Sequence, residues 1–125
     1  MMENLKILLL DDSGTMQKMI KMALSKIGIE GVATALNGIE GMANLKESIP
    51  DLILCDWNMP EMNWYQFVTA VRADAKFKNI PILMLTTVNT KDEVIEIMKA
   101  GANDFLNKPF TPESLKEKIE KVTKG

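Results

Sequence analysis

Three aspartates stand directly after short apolar runs. Asp11 and Asp12 follow Leu5–Leu10, and Asp56 follows Leu52–Cys55. Two further apolar runs end in groups suited to phosphate chemistry. Ile80–Leu85 leads into Thr86 and Thr87, and Asn103–Leu106 leads toward Lys108. The remaining run, Gly31–Ala35, leads only into Leu36, Asn37 and Gly38. Two carboxylates 4 Å apart repel by about 4 kcal/mol at an effective dielectric near 20. Folding alone does not favour gathering three, and a divalent cation removes the conflict. All-oxygen ligands suit magnesium, manganese or calcium. Few aspartates, no glutamate cluster and no EF-hand spacing fit Mg2+ best, because that ion keeps waters and phosphate oxygens beside one or two carboxylates.

A carboxylate beside such an ion can attack phosphorus and become an aspartyl phosphate. A lysine ammonium and a threonine hydroxyl can hold the transferred oxygens, as Lys108 and Thr86 would. Asp56 is the expected nucleophile, because it stands alone on a central strand. The adjacent Asp11 and Asp12 are expected to hold the ion, one directly and one through water. Each residue by itself has a plainer reading: a solvated loop for Asp11-Asp12, a turn cap for Asp56, a surface cation for Lys108. Their joint placement after separate strands is what favours chemistry.

The scarce residues exclude other chemistry. The 125 residues contain no histidine, which removes Ser-His-Asp and Cys-His catalysis and His-ligated zinc. One cysteine, Cys55, makes neither an internal disulfide nor a thiolate cage, and points to a reducing, cytoplasmic compartment. Cys55 itself is expected to be buried and inert. A net charge of −2 leaves no footprint for nucleic acid or anionic membrane. No run approaches the ~18 apolar residues of a membrane span, and the start of the chain lacks a leader pattern.

The positioning elements follow from periodicity. The five apolar runs alternate with helical patterns, the mark of an α/β domain with a parallel sheet. Met16, Met19, Ile20, Ala23, Leu24 and Ile27 form one stripe after a Ser13 cap, stopped at Gly28. Ile39, Met42, Ala43 and Leu45 form a second after Asn37-Gly38, and Trp64, Phe67, Val68 and Val71 a third. Val94, Ile97 and Met98 form a fourth ending at Gly101. Leu115, Ile119 and Val122 form a fifth opened by Thr111-Pro112. Ten methionines are read as adaptable core filler. Right-handed crossovers then give five β/α units around an open sheet with helices on both faces. Ligands of such sheets sit outside the carboxyl ends of the strands, where the acids collect.

Asp11-Asp12-Ser13, Asp56-Trp57-Asn58-Met59-Pro60-Glu61-Met62, Thr86 and Lys108-Pro109-Phe110 together resemble the receiver domain of two-component response regulators, most closely its stand-alone chemotaxis type. The resemblance covers the whole chain, 1–125, with no output domain. It implies a flavodoxin-like doubly wound (βα)5 fold with strand order 2-1-3-4-5. It implies that Asp56 accepts a phosphoryl group from a histidine kinase, and that Asp12 and Asp56 bind Mg2+ with the Asn58 backbone carbonyl, Asp11 lying near. Thr86 is implied to hydrogen-bond the phosphoryl group and Lys108 to pair with it, with a cis Lys108–Pro109 bond. Thr86 and the aromatic Phe105 are the implied switch, remodelling the face of helix four, strand five and helix five for a flagellar motor switch protein. The expected protein is a monomeric phosphoacceptor rather than an enzyme, acted on by its kinase and by a phosphatase.

Departures from the family pattern carry their own expectations. Phe105 stands where tyrosine is common, leaving a steric switch without a hydroxyl latch. Asn63-Trp64 replaces Asp-Gly, implying a different loop geometry or an exposed aromatic. Gln17-Lys18 replaces arginine on helix one, implying altered surface contacts. Thr87 narrows access to the site, and Asn58, Thr87 and Val88 tune the phosphoryl lifetime. Trp57 is expected beside the metal site, partly exposed. Lys116, Glu117, Lys118, Glu120 and Lys121 read as a solvated helix face, which the family makes a candidate docking surface.

The competing readings are a phosphorelay or other receiver outside chemotaxis, a small magnesium phosphatase, and a flavodoxin-like cofactor binder. Asn58 two residues after Asp56 disfavours the phosphatase, which needs a general acid there. The acidic edge of the first strand disfavours the cofactor binder, which needs a glycine-rich or hydroxyl-rich phosphate cradle.

Overall fold

Hydrophobic side chains alternate between the two faces of every inner strand, and that alternation builds two cores. The computed structural model describes residues 4–57, 63–87 and 90–123. Its elements run in strict alternation: β1 (Lys6–Leu10), α1 (Gly14–Lys26), β2 (Gly31–Ala35), α2 (Gly38–Glu47), β3 (Leu52–Asp56), α3 (Trp64–Ala73), β4 (Ile82–Thr86), α4 (Lys91–Ala100), β5 (Asp104–Asn107) and α5 (Pro112–Thr123). The strands pair in parallel in the order β2-β1-β3-β4-β5, as the resemblance implied.

Ile7, Leu9, Leu52, Leu54, Leu83 and Leu85 face α1 and α5, meeting Ile20, Leu24, Leu115 and Ile119. Leu8, Leu10, Ile53, Cys55, Ile82 and Met84 face the other way, meeting Leu45, Phe67, Val68, Val71 and Ile97 of α2, α3 and α4. Strands buried on both faces have no polar alternation, which is why their sequences read as continuous apolar runs. The edge strands β2 and β5 are the exceptions, and in β2 only Ala35 is fully buried.

The helix caps follow the sequence. Ser13, Asn37, Asn63 and Thr90 each accept an N–H of the first turn through their side chains. Gly101 ends α4 with φ +120°, a conformation that a side chain would strain. The predicted strand limits shift slightly. Ile80 lies before β4, buried in the turn that follows α3, and Asp56 closes β3.

Two expectations about helix faces are corrected. Ile39 is 57% exposed and Ala43 is exposed; α2 instead buries Gly38, Gly41 and Leu45. The reason is close packing: a Cβ on Gly41 would lie 2.8 Å from Leu10 and 2.9 Å from Phe67. The described methionines divide: Met84 is fully buried and Met16 and Met42 pack partly buried against the core, whereas Met19 and Met22 are 58% and 63% exposed on α1 and Met98 is exposed on α4.

Arg72 ties together the edge of the sheet opposite the aspartates. Its guanidinium donates to the carbonyls of Gly101 (2.8 Å), Lys78 (2.9 Å) and Ile80 (2.7 Å), and to Asn103 Oδ1 (2.8 Å). Asn103 Oδ1 also accepts the N–H of Ile82, the first residue of β4. No helix among the described residues is long and apolar enough to cross a membrane.

Candidate functional site: an acidic cleft at the carboxyl ends of the strands

Parallel pairing aligns the ends of β1, β3 and β4, so the residues that close these strands emerge side by side. Leu10 pairs with Cys55, Asp56 with Leu85, and Thr86 with Asn107. Asp11, Asp12 and Asp56 can each direct a carboxylate oxygen to within 4.8 Å of the others. They line a cleft of about 260 Å³ with Ser13, Met16, Trp57, Thr87 and Lys108. That volume suits a phosphoryl group and an ion, and falls below the ~300–1,000 Å³ of sites for larger ligands.

Each side chain has an identifiable support. The Asp11 N–H donates to the Ala35 carbonyl at 3.0 Å, extending the β1–β2 ladder by one bond. Asp11 Oδ1 accepts the Ser13 N–H at 2.9 Å. Its Oδ2 is buried and, among the described residues, has no hydrogen-bond partner, with Lys108 Nζ 3.8 Å away. Asp12 is exposed at the rim. Asp56 is buried and its Oδ1 accepts Lys108 Nζ at 2.6 Å. Lys108 is fixed by its own N–H, which donates to the Thr86 carbonyl at 2.8 Å, and the Lys108–Pro109 bond is cis as expected. Thr86 is buried at the end of β4, and Thr87 is exposed and lines the cleft. Asn58 and Val88 lie outside the described residues.

The charges do not balance. Among the described residues, three carboxylates line the cleft beside one ammonium, and that ammonium sits on Asp56. Burial raises the Asp11 carboxyl above its ordinary range, and the charges of Asp56 and Asp12 add to this; the Ser13 N–H and Lys108 oppose it. Burial also pushes the Cys55 thiol far up, with Asp56 and Asp11 adding to the effect, so the thiol stays neutral and unreactive. The unpartnered Asp11 oxygen and the all-oxygen donor set fit a hard divalent cation.

Several neighbours were not legible as site residues. Gln17 is half-buried. Its Nε2 donates to the carbonyls of Asp11 (2.9 Å) and Ala35 (3.1 Å), bracing the chain where Asp11 leaves the sheet. Trp64 is buried rather than exposed and stacks on Trp57, whose ring is half-buried beside the cleft as expected. Phe105 is half-buried on the α4 side of the sheet. Asp104, which the sequence reading passed over, is buried and paired with Lys118 and Lys121 of α5 (3.1 and 3.0 Å), with Lys118 Nζ 5.4 Å from the Phe105 ring centre. Lys118 and Lys121 are therefore not merely solvated.

The sequence profile described as the response regulator receiver domain matches residues 7–120. The chain belongs to this receiver domain family. The receiver is 49% identical over 119 residues to chemotaxis protein CheY1 of Helicobacter pylori, covering 94% of this chain and 96% of that one. It is 42% identical over 118 residues to chemotaxis protein CheY of Pseudomonas aeruginosa, covering 94% and 95%. Among solved structures, Vibrio cholerae chemotaxis protein CheY4 superposes with a TM-score of 0.87 at 39% identity, over 94% of this chain and 98% of that chain. A response regulator from Chloroflexus aurantiacus gives 0.90 at 32% identity, over 97% and 98%. The receiver's five parallel strands and their order are those of the CheY-like fold.

Proposed function

We propose that this receiver accepts a phosphoryl group on Asp56, with Mg2+, from a phosphohistidine of a partner kinase, and then signals by binding a flagellar motor switch protein. The observation that carries the reading is the charge deficit of the cleft: three convergent carboxylates with one ammonium, 2.6 Å from Asp56. The donor comes from outside, since the chain has no histidine.

In the transfer, a carboxylate oxygen of Asp56 attacks phosphorus as the P–N bond to the donor imidazole breaks. The imidazole nitrogen keeps that electron pair and takes a proton from solvent. Asp11, Asp12 and Asp56, with the backbone carbonyl of Asn58, would hold Mg2+, which supplies charge neutralisation for the phosphoryl oxygens. Lys108 exchanges its contact with Asp56 Oδ1 for one with a phosphoryl oxygen. The Thr86 hydroxyl donates to another. Asn58, Thr87 and Val88 set how long the phosphoryl group persists.

The product adds roughly −1.5 to −2 charges at the cleft. Thr86 shifting toward them, with the Phe105 ring following, remodels the face of α4, β5 and α5, which is the docking surface in this reading. The relatives named as chemotaxis proteins support the pathway. The receiver acts by binding and does not turn over a free substrate.

Incubation with acetyl phosphate and Mg2+ is expected to add one phosphoryl group, seen by intact mass. Omitting Mg2+ or substituting Asp56→Asn is expected to abolish it. Equal labelling of Asp56→Asn overturns the reading. A pull-down with the phosphorylated chain that returns histidine phosphotransfer proteins in place of motor switch proteins overturns the pathway alone.

A further inference from the structure

Two tryptophans join the two sides of the loop that leaves Asp56. Trp57 follows Asp56 directly and lines the acid cleft. Its backbone N–H donates to the Leu85 carbonyl at 3.0 Å. Trp64 opens α3, where a capping box between Asn63 and Gln66 fixes the first turn. The two rings lie 4.7 Å apart and 25° from parallel. Trp64 is only 6% exposed and packs in the core with Phe67 and Val68, while Tyr65 meets it edge-on at 5.6 Å. One ring of the stack is thus anchored in the core, and the other forms a wall of the cleft.

We propose that Trp64 is a positioning residue for the phosphoryl chemistry at Asp56: it backs Trp57, holds that ring against the cleft, and so limits the approach of water to the aspartyl phosphate. The inference rests on the phosphoacceptor reading and adds the regulation of its lifetime. In the loss step, a water oxygen attacks phosphorus and the bond from phosphorus to the Asp56 oxygen breaks. The carboxylate leaves with the electron pair, and the protons of the water pass to the released phosphate and to solvent. Neither tryptophan takes part in bond changes; the wall acts by excluding water. A stacked pair beyond its area burial corresponds to about a two- to tenfold preference for the docked ring, and the lifetime follows that preference.

The test uses the full chain with Trp64→Leu, which stays apolar but loses the stacking face, and Trp64→Phe, which keeps a ring. Each variant leaves Trp57 as the sole tryptophan. Acrylamide quenching of Trp57 is read without metal. Decay of the label is read after removing acetyl phosphate, at a temperature where circular dichroism shows all forms folded. Trp64→Leu is expected to show quenching about two- to tenfold above that of Trp64→Phe and a decay rate raised by the same factor over wild type, with Trp64→Phe decaying as wild type does. If Trp64→Leu does not fold, Trp64→Phe decides: its decay must follow any change in its quenching, and a change in one alone overturns the proposal. A labelled Trp64→Leu chain with wild-type decay sinks this inference only. A wild-type chain that takes no label sinks the phosphoacceptor reading and this inference with it.

Discussion

The acidic cleft and the Asp104 cluster use the same residue types in opposite proportion. In the cleft, three carboxylates converge and Lys108 pairs with two of them, Asp56 and Asp11. On β5, one carboxylate holds two ammonium groups, from Lys118 and Lys121, and also accepts the Phe105 N–H at 2.8 Å. The two acids respond in opposite directions. Asp11 is pushed up by burial and by its acidic neighbours. Burial also works against Asp104, but hydrogen bonds from Lys121, the Phe105 N–H and Lys118 outweigh it and hold its carboxyl below the ordinary value. The β5 cluster is complete in the folded chain and ties a strand to a helix. The cleft carries an excess of negative charge that a positive ligand would balance, and that asymmetry sets a candidate functional site apart from a structural ion pair.

This contrast can be broken at several points. The largest expected effect is that of the metal. Mg2+ at a hundred times its dissociation constant should stabilise the wild-type chain by about 2.7 kcal/mol in urea unfolding. Asp12→Asn, at the exposed rim, should remove most of that gain without lowering metal-free stability. Next, Asp104→Asn should cost about 1–3 kcal/mol at neutral pH, since it leaves two lysines without their buried partner. The pH dependence sharpens the point. The folded pKa of Asp104 lies below the ordinary 3.8, so its contribution is present above 3.8 and is lost as the pH falls through the lower folded value. The gap between wild type and Asp104→Asn, followed by denaturation at a series of pH values, should therefore close only in that acid range. Asp11 has the opposite sign: its raised folded pKa makes acidification toward 3.8 relieve a penalty, so Asp11→Asn should gain metal-free stability at neutral pH and lose that gain as the pH falls. The smallest effect is expected for Lys121→Met, about 0–1 kcal/mol, because that side chain is 71% exposed and water screens its pair.

The strands and the cleft acids were legible because they depend on local order. An apolar run ending in an acid delivers that acid to the carboxyl edge of a parallel sheet, whatever the helices do. Asp11, Asp12, Asp56 and Lys108 converge on that logic alone. What depends on packing between distant segments was not legible. Asp104 meets Lys118 and Lys121 only because α5 lies against β5, and nothing in the spacing marks that pairing. Gln17 reads as a surface residue of a helix until the ends of β1 and β2 stand beneath it. The buried face of α2 is marked by glycines, which carry no hydrophobic signal, so Ile39 and Ala43 drew the stripe to the wrong side. Met19 erred the same way, on a helix whose true stripe of Ile20 and Leu24 is narrow. Trp64 looked out of place because a glycine was expected, and its partner Trp57 stands across a loop.

The guanidinium of Arg72 bears on how a signal can spread. From α3 it grips the end of α4, the turn before β4 and the entry to β5 at one point. The rim of the domain remote from the acids is thereby riveted, while the opposite rim ends in side chains awaiting charge. Under the proposed function, phosphorylation of Asp56 is expected to displace the near ends of β4 and β5 more than the side that Arg72 pins, as a lever swings from its fixed pivot.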